Sequence, residues 1–379
     1  LPLTLDSRLR FSADGRWLGV ARNGDQAELL EATPSQVYRT LVRGEGLGLG
    51  AYTPSDISLD GRLLAVGTVE ESDTGVRLWD IQTGREVATL SEGTNFVFFD
   101  GRQGGGEGAG SYQGSGTALL TSGTDGLMRW PITSEDPEGR RLRIGPPRRI
   151  STLRRAWFAR GPDNGTIGAV TEEFGTNLLL DLVTGAIHRE LRVDPSGGEI
   201  RAISSDGRWA ASSGWHSERV RLWDLHTGQM KHEWLPGKRN FVFFTPDSRC
   251  LIISREDEFS FWEIATSRLV RQLRREVAHF PGHVAHSPDG QLVALEMAPA
   301  VIHLVEQATG RTVARLEDPF GDRATWQGFT PDGTRLVVVS AYAGAIHIWD
   351  LRGLRASLKA MGLDWNWAEF PPESPRKAR

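Results

Sequence analysis

The sequence predicts an all-β protein made of short, four-stranded antiparallel sheets, one sheet per repeated unit. Three observations carry that expectation. The phrase RLWDIQTGREVATL at Arg77–Leu90 returns as RLWDLHTGQMKHEWL at Arg221–Leu235 and, shortened, as IHIWDLRGL at Ile346–Leu354, so one supersecondary unit recurs along the chain. A second phrase, a hydrophobic run followed by a tight-turn signal, places an aspartate at Asp14, Asp60, Asp100, Asp163, Asp206, Asp247, Asp289 and Asp332, in steps of 40 to 46 residues with one of 63. The string FVFF also occurs twice, at Phe96–Phe99 and Phe241–Phe244, each time behind an asparagine.

Within a unit, the elements follow from turn chemistry. In the second unit Ile57–Leu59 ends one strand, Arg62–Thr68 forms the next, Gly75–Ile81 the third and Arg85–Leu90 the fourth. The Asp-Gly pair is expected to form a two-residue hairpin turn, and Thr-Gly serves the same purpose between the third and fourth strands. A lone meander cannot bury both faces, whereas radial stacking around an axis covers them, which makes the predicted architecture a β-propeller. Eight turn phrases predict eight blades, with seven the alternative. After the strand at Ile346–Leu351, RGLRASLKAMGL replaces the expected outer strand by a short helix. Leu1–Leu5 is expected to supply the missing strand and close the ring, because closure removes exposed sheet edges. Residues 1–351 are thus read as the propeller, and 352–379 as a C-terminal helix with a Trp/Pro-rich tail in which Trp365 and Trp367 pack against it.

Composition narrows the function. The 379 residues carry a formal net charge of −4, which gives no electrostatic footprint for nucleic acid. Lysine occurs only four times among 44 basic residues, a skew read as codon bias toward arginine. The single cysteine, Cys250, excludes an intrachain disulfide and reads as a small buried side chain. No apolar run reaches 18 residues and there is no signal peptide, so no membrane contact is expected within this segment. A cytoplasmic domain is favoured, or an extracytoplasmic one if a membrane span precedes it; the opening at Leu1 without a methionine suggests a piece of a longer protein.

The units resemble WD40 repeats. The dipeptides Trp79-Asp80, Trp223-Asp224 and Trp349-Asp350 carry the resemblance, with Trp130-Pro131 and Trp262-Glu263 as altered versions, over essentially Leu5 to Leu351. In that family a histidine before the first strand, a Ser or Thr on the second, an aspartate in the next turn and the tryptophan form a buried hydrogen-bond network. Here the third unit offers Ser122, Asp125 and Trp130 without the histidine, and Gly282-His283 precedes a unit lacking the tryptophan. Packing is therefore expected to rest on apolar burial. The tail Ala356–Pro372 is similar to the element closing WD40 regions of large planctomycete proteins, where a Ser/Thr kinase domain often precedes the propeller. No kinase motif occurs in this chain, so catalysis is expected only from a domain outside it.

The resemblance implies a non-catalytic, monomeric scaffold or sensor, part of a larger bacterial protein, that binds a protein or peptide through its loop face and central channel. No catalytic residue, cofactor or metal is assigned. The candidate contacts are the arginine, aromatic and polar side chains of that face, the types that dominate interface energetics: Tyr52, Arg155, Trp157, Trp215, His216, Arg239, Asn240, His283, Trp326 and Tyr342. The histidines of HFPGHVAH, His279, His283 and His286, form the densest metal-like cluster, but alternation along a strand sends His283 and His286 to opposite faces. GEGLGLG at residues 44–50 lacks the following helix that a phosphate loop needs, and the Gly-rich insertion at residues 101–116 reads as a linker. The alternative function is a propeller enzyme: LLLDLVTGAIHREL at Leu178 and LVEQATGRTVARL at Leu304 resemble blades of quinoprotein dehydrogenases, although only Trp234 follows a Thr-Gly turn as those repeats require. A lactonase-like site would need carboxylates and a metal converging on the channel.

Overall fold

The computed structural model describes residues 8–11, 17–22, 26–31, 37–43, 54–70, 73–90, 96–100, 118–123, 125–135, 141–153, 157–160, 167–171, 176–182, 184–192, 198–276, 278–340, 342–365, 367 and 369–370. The glycine-rich segments at 44–50 and 101–116 lie outside them, as does Leu1–Leu5.

Among the described residues there are eight antiparallel sheets, one for each turn phrase. An N-terminal sheet has three strands, Arg8–Phe11, Trp17–Arg22 and Gln26–Glu31. Seven further sheets follow. The first comprises Ser55–Ile57, Leu63–Glu70, Asp73–Asp80 and Arg85–Leu90; the second Phe96–Asp100, Ala118–Gly123 and Gly126–Ser134, with Leu142–Ile144 and Arg148–Ser151 both pairing with its third strand. The third holds Trp157–Arg160, Ile167–Thr171, Thr176–Asp181 and Ile187–Arg192; the fourth Glu199–Ile203, Trp209–Ser213, Val220–Asp224 and Gln229–Trp234. The fifth holds Phe241–Phe244, Cys250–Ser254, Glu258–Glu263 and Arg268–Arg274; the sixth Val284–His286, Leu292–Ala298, Val301–Glu306 and Thr312–Glu317. The seventh takes Trp326–Phe329, Arg335–Ser340 and Ala345–Asp350 from the C-terminal end of the chain and Tyr38–Arg43 from the N-terminal end.

These seven sheets share apolar cores in a closed cycle. Leu63, Ala65 and Leu78 of the first pack with Val97, Phe99 and Leu119 of the second; Phe98 and Leu120 of the second meet Leu180 of the third; Leu179 of the third meets Ile200 and Trp223 of the fourth. The series continues from fourth to fifth, fifth to sixth and sixth to seventh. It closes where Val337, Val339, Ile346 and Ile348 of the seventh sheet pack directly on Ile57, Leu64, Val66 and Trp79 of the first. Eight turn phrases predict eight blades; among the described residues the three-stranded N-terminal sheet does not stand between the last and the first. The cycle of shared cores runs through seven. The outer place in the seventh sheet, expected for Leu1–Leu5, is taken by Tyr38–Arg43, antiparallel to Ala345–Asp350 with Ile346 opposite Val42 and Trp349 opposite Tyr38.

The tryptophans of the repeated phrase sit in these cores: Trp79 between the seventh and first sheets, Trp223 between third and fourth, and Trp349 between sixth and seventh. Trp223 also donates Nε1–H to Ser212 Oγ at 3.0 Å, and Trp130 donates to Thr121 Oγ1 at 3.0 Å. The partner of Trp130 is therefore the residue before Ser122, the one expected. Such a bond contributes a net 0.5–1.5 kcal/mol or so, whereas each fully buried Leu, Ile or Val contributes about 1.5–3. With nine buried apolar side chains in the closing core alone, apolar burial dominates.

The turn phrases act differently from a two-residue hairpin. Five residues separate Ile57 from Leu63, and only Gly61 adopts a positive φ, +69°. Asp60 instead accepts through Oδ1 from the Arg62 N–H at 3.0 Å and from Ser58 Oγ at 2.5 Å, while buried Ser58 Oγ accepts from the Leu63 N–H at 2.8 Å. Ser204/Asp206, Thr245/Asp247, Ser287/Asp289 and Thr330/Asp332 repeat the pattern. The pair satisfies backbone donors that a buried turn would otherwise orphan.

The WD aspartate closes the other turn. Asp80 Oδ1 accepts from the N–H of Thr83 at 2.8 Å, and Asp224 Oδ1 from those of His226 and Thr227 at 2.9 and 3.1 Å. In the seventh sheet the same position, Asp350, accepts from the Gly353 N–H at 3.0 Å and becomes the N-cap of the helix Leu351–Ala360. That helix turns Leu351 into the core between the sixth and seventh sheets, joined by Trp365 and flanked by Trp367, as expected for the tail. Buried Arg355 ties the two: its guanidinium reaches both Asp364 oxygens at 3.1 Å and the carbonyls of Trp365 and Trp367.

Arginines also staple neighbouring sheets. Arg189, on the outer strand of the third sheet, donates to the Thr227 and His226 carbonyls in the Thr-Gly turn of the fourth, at 2.9 and 3.2 Å. Arg271 of the fifth does the same to Gln307 and Ala308 of the sixth, at 2.7 and 2.9 Å. Arg39 of the seventh reaches Ile81 and Gln82 of the first, at 2.5 and 3.0 Å. A Cβ on Gly228 would collide with Arg189 and one on Gly310 would crowd Arg271, so those glycines serve both a positive φ and the approach of the guanidinium. In the fifth sheet Ser267 occupies this glycine position at φ +56°. Relieving the left-handed strain outweighs the added chain entropy of glycine, so Ser267→Gly is expected to stabilise the protein by roughly 0.5–1 kcal/mol, read as a raised midpoint in thermal melts; a lowered midpoint would contradict this.

Candidate functional site

First strands approach one another around the ring, third with fourth, fourth with fifth, sixth with seventh and seventh with first, so they line its inside. In a four-stranded meander the second-to-third connection and the link to the next sheet emerge on the same face. Five side chains from such loops form one run on that face of the fourth to seventh sheets. Arg239, in the link from the fourth sheet to the fifth, holds its guanidinium 5.3 Å from the ring centre of Trp215, in the second-to-third connection of the fourth. Trp215 stacks on Phe280, of the fifth-to-sixth link, at 5.8 Å and 28°. Arg323, of the sixth-to-seventh link, lies 4.3 Å from the Phe280 ring and 6.0 Å from that of Tyr342, in the second-to-third connection of the seventh. Guanidinium groups thus flank a stacked aromatic pair, each cation over a ring face that attracts it by its quadrupole.

The layer beneath fixes this run. Arg275 is buried and donates to four carbonyls, those of Glu296, Arg255, Glu256 and Phe280, so one guanidinium ties down the backbone that presents Phe280. Glu296, 1% exposed, accepts from the His283 N–H at 3.0 Å and faces Arg323 Nε at 3.5 Å. Gln327 bridges the sixth and seventh sheets by donating to the His283 and Ala294 carbonyls. Arg239 pairs with Glu256 at 3.1 Å at the rim. Both stacking cations therefore have carboxylate partners; Trp215 and Phe280 are half-buried, and the exposed members are Arg239 and Tyr342, the latter 60% exposed.

The ten sequence candidates divide accordingly. Trp215, Arg239 and Tyr342 come together in the run. His283 sits beside it, its ring 5.2 Å from Phe241. Asn240 is buried and turned inward, donating to the Gly237 carbonyl. His216 is exposed, and Trp326 packs into the core between the seventh and first sheets. Tyr52 and Arg155 lie outside the described residues, as does the side chain of Trp157. Phe280 and Arg323, the two central members, are not among the ten: Phe280 lies inside the histidine-rich HFPGHVAH, and nothing in GDRATW marks Arg323. His279 is exposed, and His286 is half-buried on the first strand of the sixth sheet; among the described residues the three histidines do not converge as a metal set.

A second polar cluster lies near the ring closure. Asp318 and Asp322, in the link from the sixth sheet to the seventh, meet fully buried His347 of the seventh, with Nε2 at 3.3 Å from Asp318 Oδ2 and 3.2 Å from Asp322 Oδ2. Tyr38, Thr40 and Arg43 of the closing strand complete it: Tyr38 donates to Asp318 Oδ2 at 3.0 Å, and Arg43 pairs with Asp322 at 2.8 Å. Burial, with the two carboxylates beside it, pushes the Tyr38 hydroxyl well above its usual value. Burial lowers that of His347, against the pull of both aspartates. No helix among the described residues is long and apolar enough to cross a membrane.

Among solved structures, a chain of the mitotic checkpoint complex matches with a TM-score of 0.57 at 16% identity, covering 85% of this chain and 98% of that one. No family model and no curated protein matches the sequence. At that identity the likeness shows the fold: a WD40-like β-propeller of four-stranded antiparallel sheets with one short C-terminal helix.

Glu296 gives a pH signature for the layer under the stack. Burial pushes its carboxyl up to about 7, against Arg323. A value raised above the unfolded one favours the fold when the group is protonated, so this contribution is present below about pH 4.5 and lost as pH rises through 7. Burial lowers His283 to about 3 and His286 to about 4, the opposite sense: their contribution is present above about 6.5 and lost on acidification. Comparison with Glu296→Gln isolates the carboxyl. From pH 5 to pH 8 the variant should gain on the wild type in chemical-denaturation stability, by up to about 3 kcal/mol; parallel profiles would refute the assignment.

Proposed function

We propose that this chain is a non-catalytic scaffold or sensor domain that binds an extended peptide segment of a protein partner across its loop face, with the run Arg239–Trp215–Phe280–Arg323–Tyr342 as the contact surface. The observation that carries the reading is the stacking of rings and guanidinium groups along that run. Such stacks are rigid before binding, so little side-chain entropy is lost when a partner settles on them, and aromatic and arginine side chains dominate interface energetics. With Arg239 and Arg323 already facing Glu256 and Glu296, recognition falls chiefly to the aromatic faces, which favours a partner with apolar or aromatic side chains over a purely acidic one. The matched chain comes from a multiprotein complex, in keeping with an interaction role. The tail resemblance supports a place within a larger bacterial protein of the planctomycete type, and the closed cycle of cores suits a monomeric domain.

Peptides selected from a displayed library against the whole chain test this directly. Trp215→Ala and Tyr342→Ala are each expected to weaken the selected peptides tenfold or more, about 1.4 kcal/mol, without lowering the thermal midpoint by more than a few degrees. Equal affinity for wild type and variants would place the binding surface elsewhere, and failure to select any peptide would count against the proposal.

A further inference from the structure

The cluster at the ring closure has a charge imbalance that its hydrogen bonds do not resolve. Tyr38 Oη lies 3.0 Å from Asp318 Oδ2 and 2.7 Å from His347 Nδ1, and Thr40 Oγ1 lies 3.0 Å from the same Nδ1. The carboxylate only accepts, so the Tyr38 hydroxyl proton points to Asp318, and the Tyr38 oxygen accepts from Nδ1–H. The lone pair of a neutral ring then sits on Nε2, facing Asp318 Oδ2 at 3.3 Å and Asp322 Oδ2 at 3.2 Å. Giving Nε2 the proton instead leaves the Tyr38 hydroxyl unable to serve both Nδ1 and Asp318. With Nδ1–H held by the Tyr38 oxygen, no proton lies between Nε2 and the two carboxylate oxygens. Arg43 offsets one of the two carboxylate charges, through Asp322. With the ring neutral, two carboxylates against one guanidinium leave a net negative charge where Nε2 and the two oxygens converge.

We propose that Asp318, Asp322 and His347 bind one divalent transition-metal ion of the zinc class. Ligand atoms held at about 2.0–2.2 Å around a tetrahedral ion lie roughly 3.3–3.6 Å apart, and the two Nε2-to-oxygen distances, 3.3 and 3.2 Å, lie at and just below the lower end of that range. One imidazole and two carboxylates make a nitrogen–oxygen donor set suited to such an ion. The surroundings are those of a metal-bound histidine: Nδ1–H is anchored by the Tyr38 oxygen, fixing the ring and leaving Nε2 free to ligate, while Tyr38 and Arg43 orient the two carboxylates. A small cavity lined in part by Asp318, Asp322 and Ala300 lies beside the carboxylates. The rival occupant of the gap is a second proton on His347, which the zinc titration distinguishes from an ion. Because the carboxylates come from the sixth-to-seventh link, the imidazole from the seventh sheet and its anchor from Tyr38–Arg43, the ion would pin the closing strand to the C-terminal side of the ring.

The test uses the whole chain, stripped with a chelator and titrated with Zn2+ alone. One equivalent of zinc by elemental analysis is expected, with a thermal midpoint about 2–5 °C higher at a hundredfold excess over the dissociation constant. Asp318→Asn with Asp322→Asn should abolish both responses, and His279→Ala, at an exposed histidine away from the cluster, should leave both intact. If the double variant fails to fold, Co2+ added to the wild type gives a second reading: visible absorption of a four-coordinate nitrogen–oxygen site supports the proposal, and a six-coordinate aqueous spectrum overturns it. It is equally overturned if zinc neither binds nor raises the midpoint, if the double variant responds like the wild type, or if the His279 variant alone loses the response.

Discussion

A ring of sheets is stable only if its first and last members find each other. Each sheet here has two faces to bury, and a sheet at either end of an open row would leave an apolar face and a row of backbone donors in water. The seventh sheet meets both needs at once. Its second and third strands pack Val337, Val339, Ile346 and Ile348 against the first sheet, and its outer strand comes from residues 38–43. The end of the chain is thereby held by a segment near its beginning, at a sequence separation of about 300 residues. The geometry of the loop face depends on that closure, because the aromatic–guanidinium run ends on the seventh sheet at Tyr342.

Arginine carries much of the remaining order. The scarcity of lysine was read as codon bias, yet Arg39, Arg189 and Arg271 each bridge two adjacent carbonyls of a neighbouring turn, Arg275 gathers four, and Arg355 joins the helix to the tail. A planar fork reaches two carbonyls in fixed geometry, which a single ammonium on a flexible stem does not. The arginine of the outer strand thus does for the interface what the tryptophan does from the third strand. Arg39 is the clearest case, since it makes the staple across the closing interface from a strand far away in sequence.

Local signals in the sequence were legible because they report local physics. Asp80 and Asp224 mark the same turn by accepting from the backbone N–H three residues on, Asp350 at the matching position caps the helix by that same bond, and the Ser/Thr–Asp pairs at 58/60 and 204/206 mark theirs. What the signals could not specify was adjacency. Eight turn phrases led to eight units, and nothing in the N-terminal phrase distinguishes a sheet within the cycle from one outside it. YRTLVR at residues 38–43 carries no flag that it pairs with residues 345–350. The candidate surface shows the same division: Trp215, Arg239 and Tyr342 were accessible through residue type and loop position, whereas Phe280, Arg323 and the Asp318–Asp322–His347 cluster exist only through packing between links from different sheets.

The central claim is that Tyr38–Arg43 closes the ring by pairing with Ala345–Asp350, and hydrogen exchange followed by mass spectrometry tests it most directly. Amides in residues 38–43 and 345–350 should be protected to a similar degree in the native protein and should lose protection together as denaturant rises, as strands of one cooperative sheet. Rapid exchange at 38–43 while 345–350 and the neighbouring sheets stay protected would contradict it.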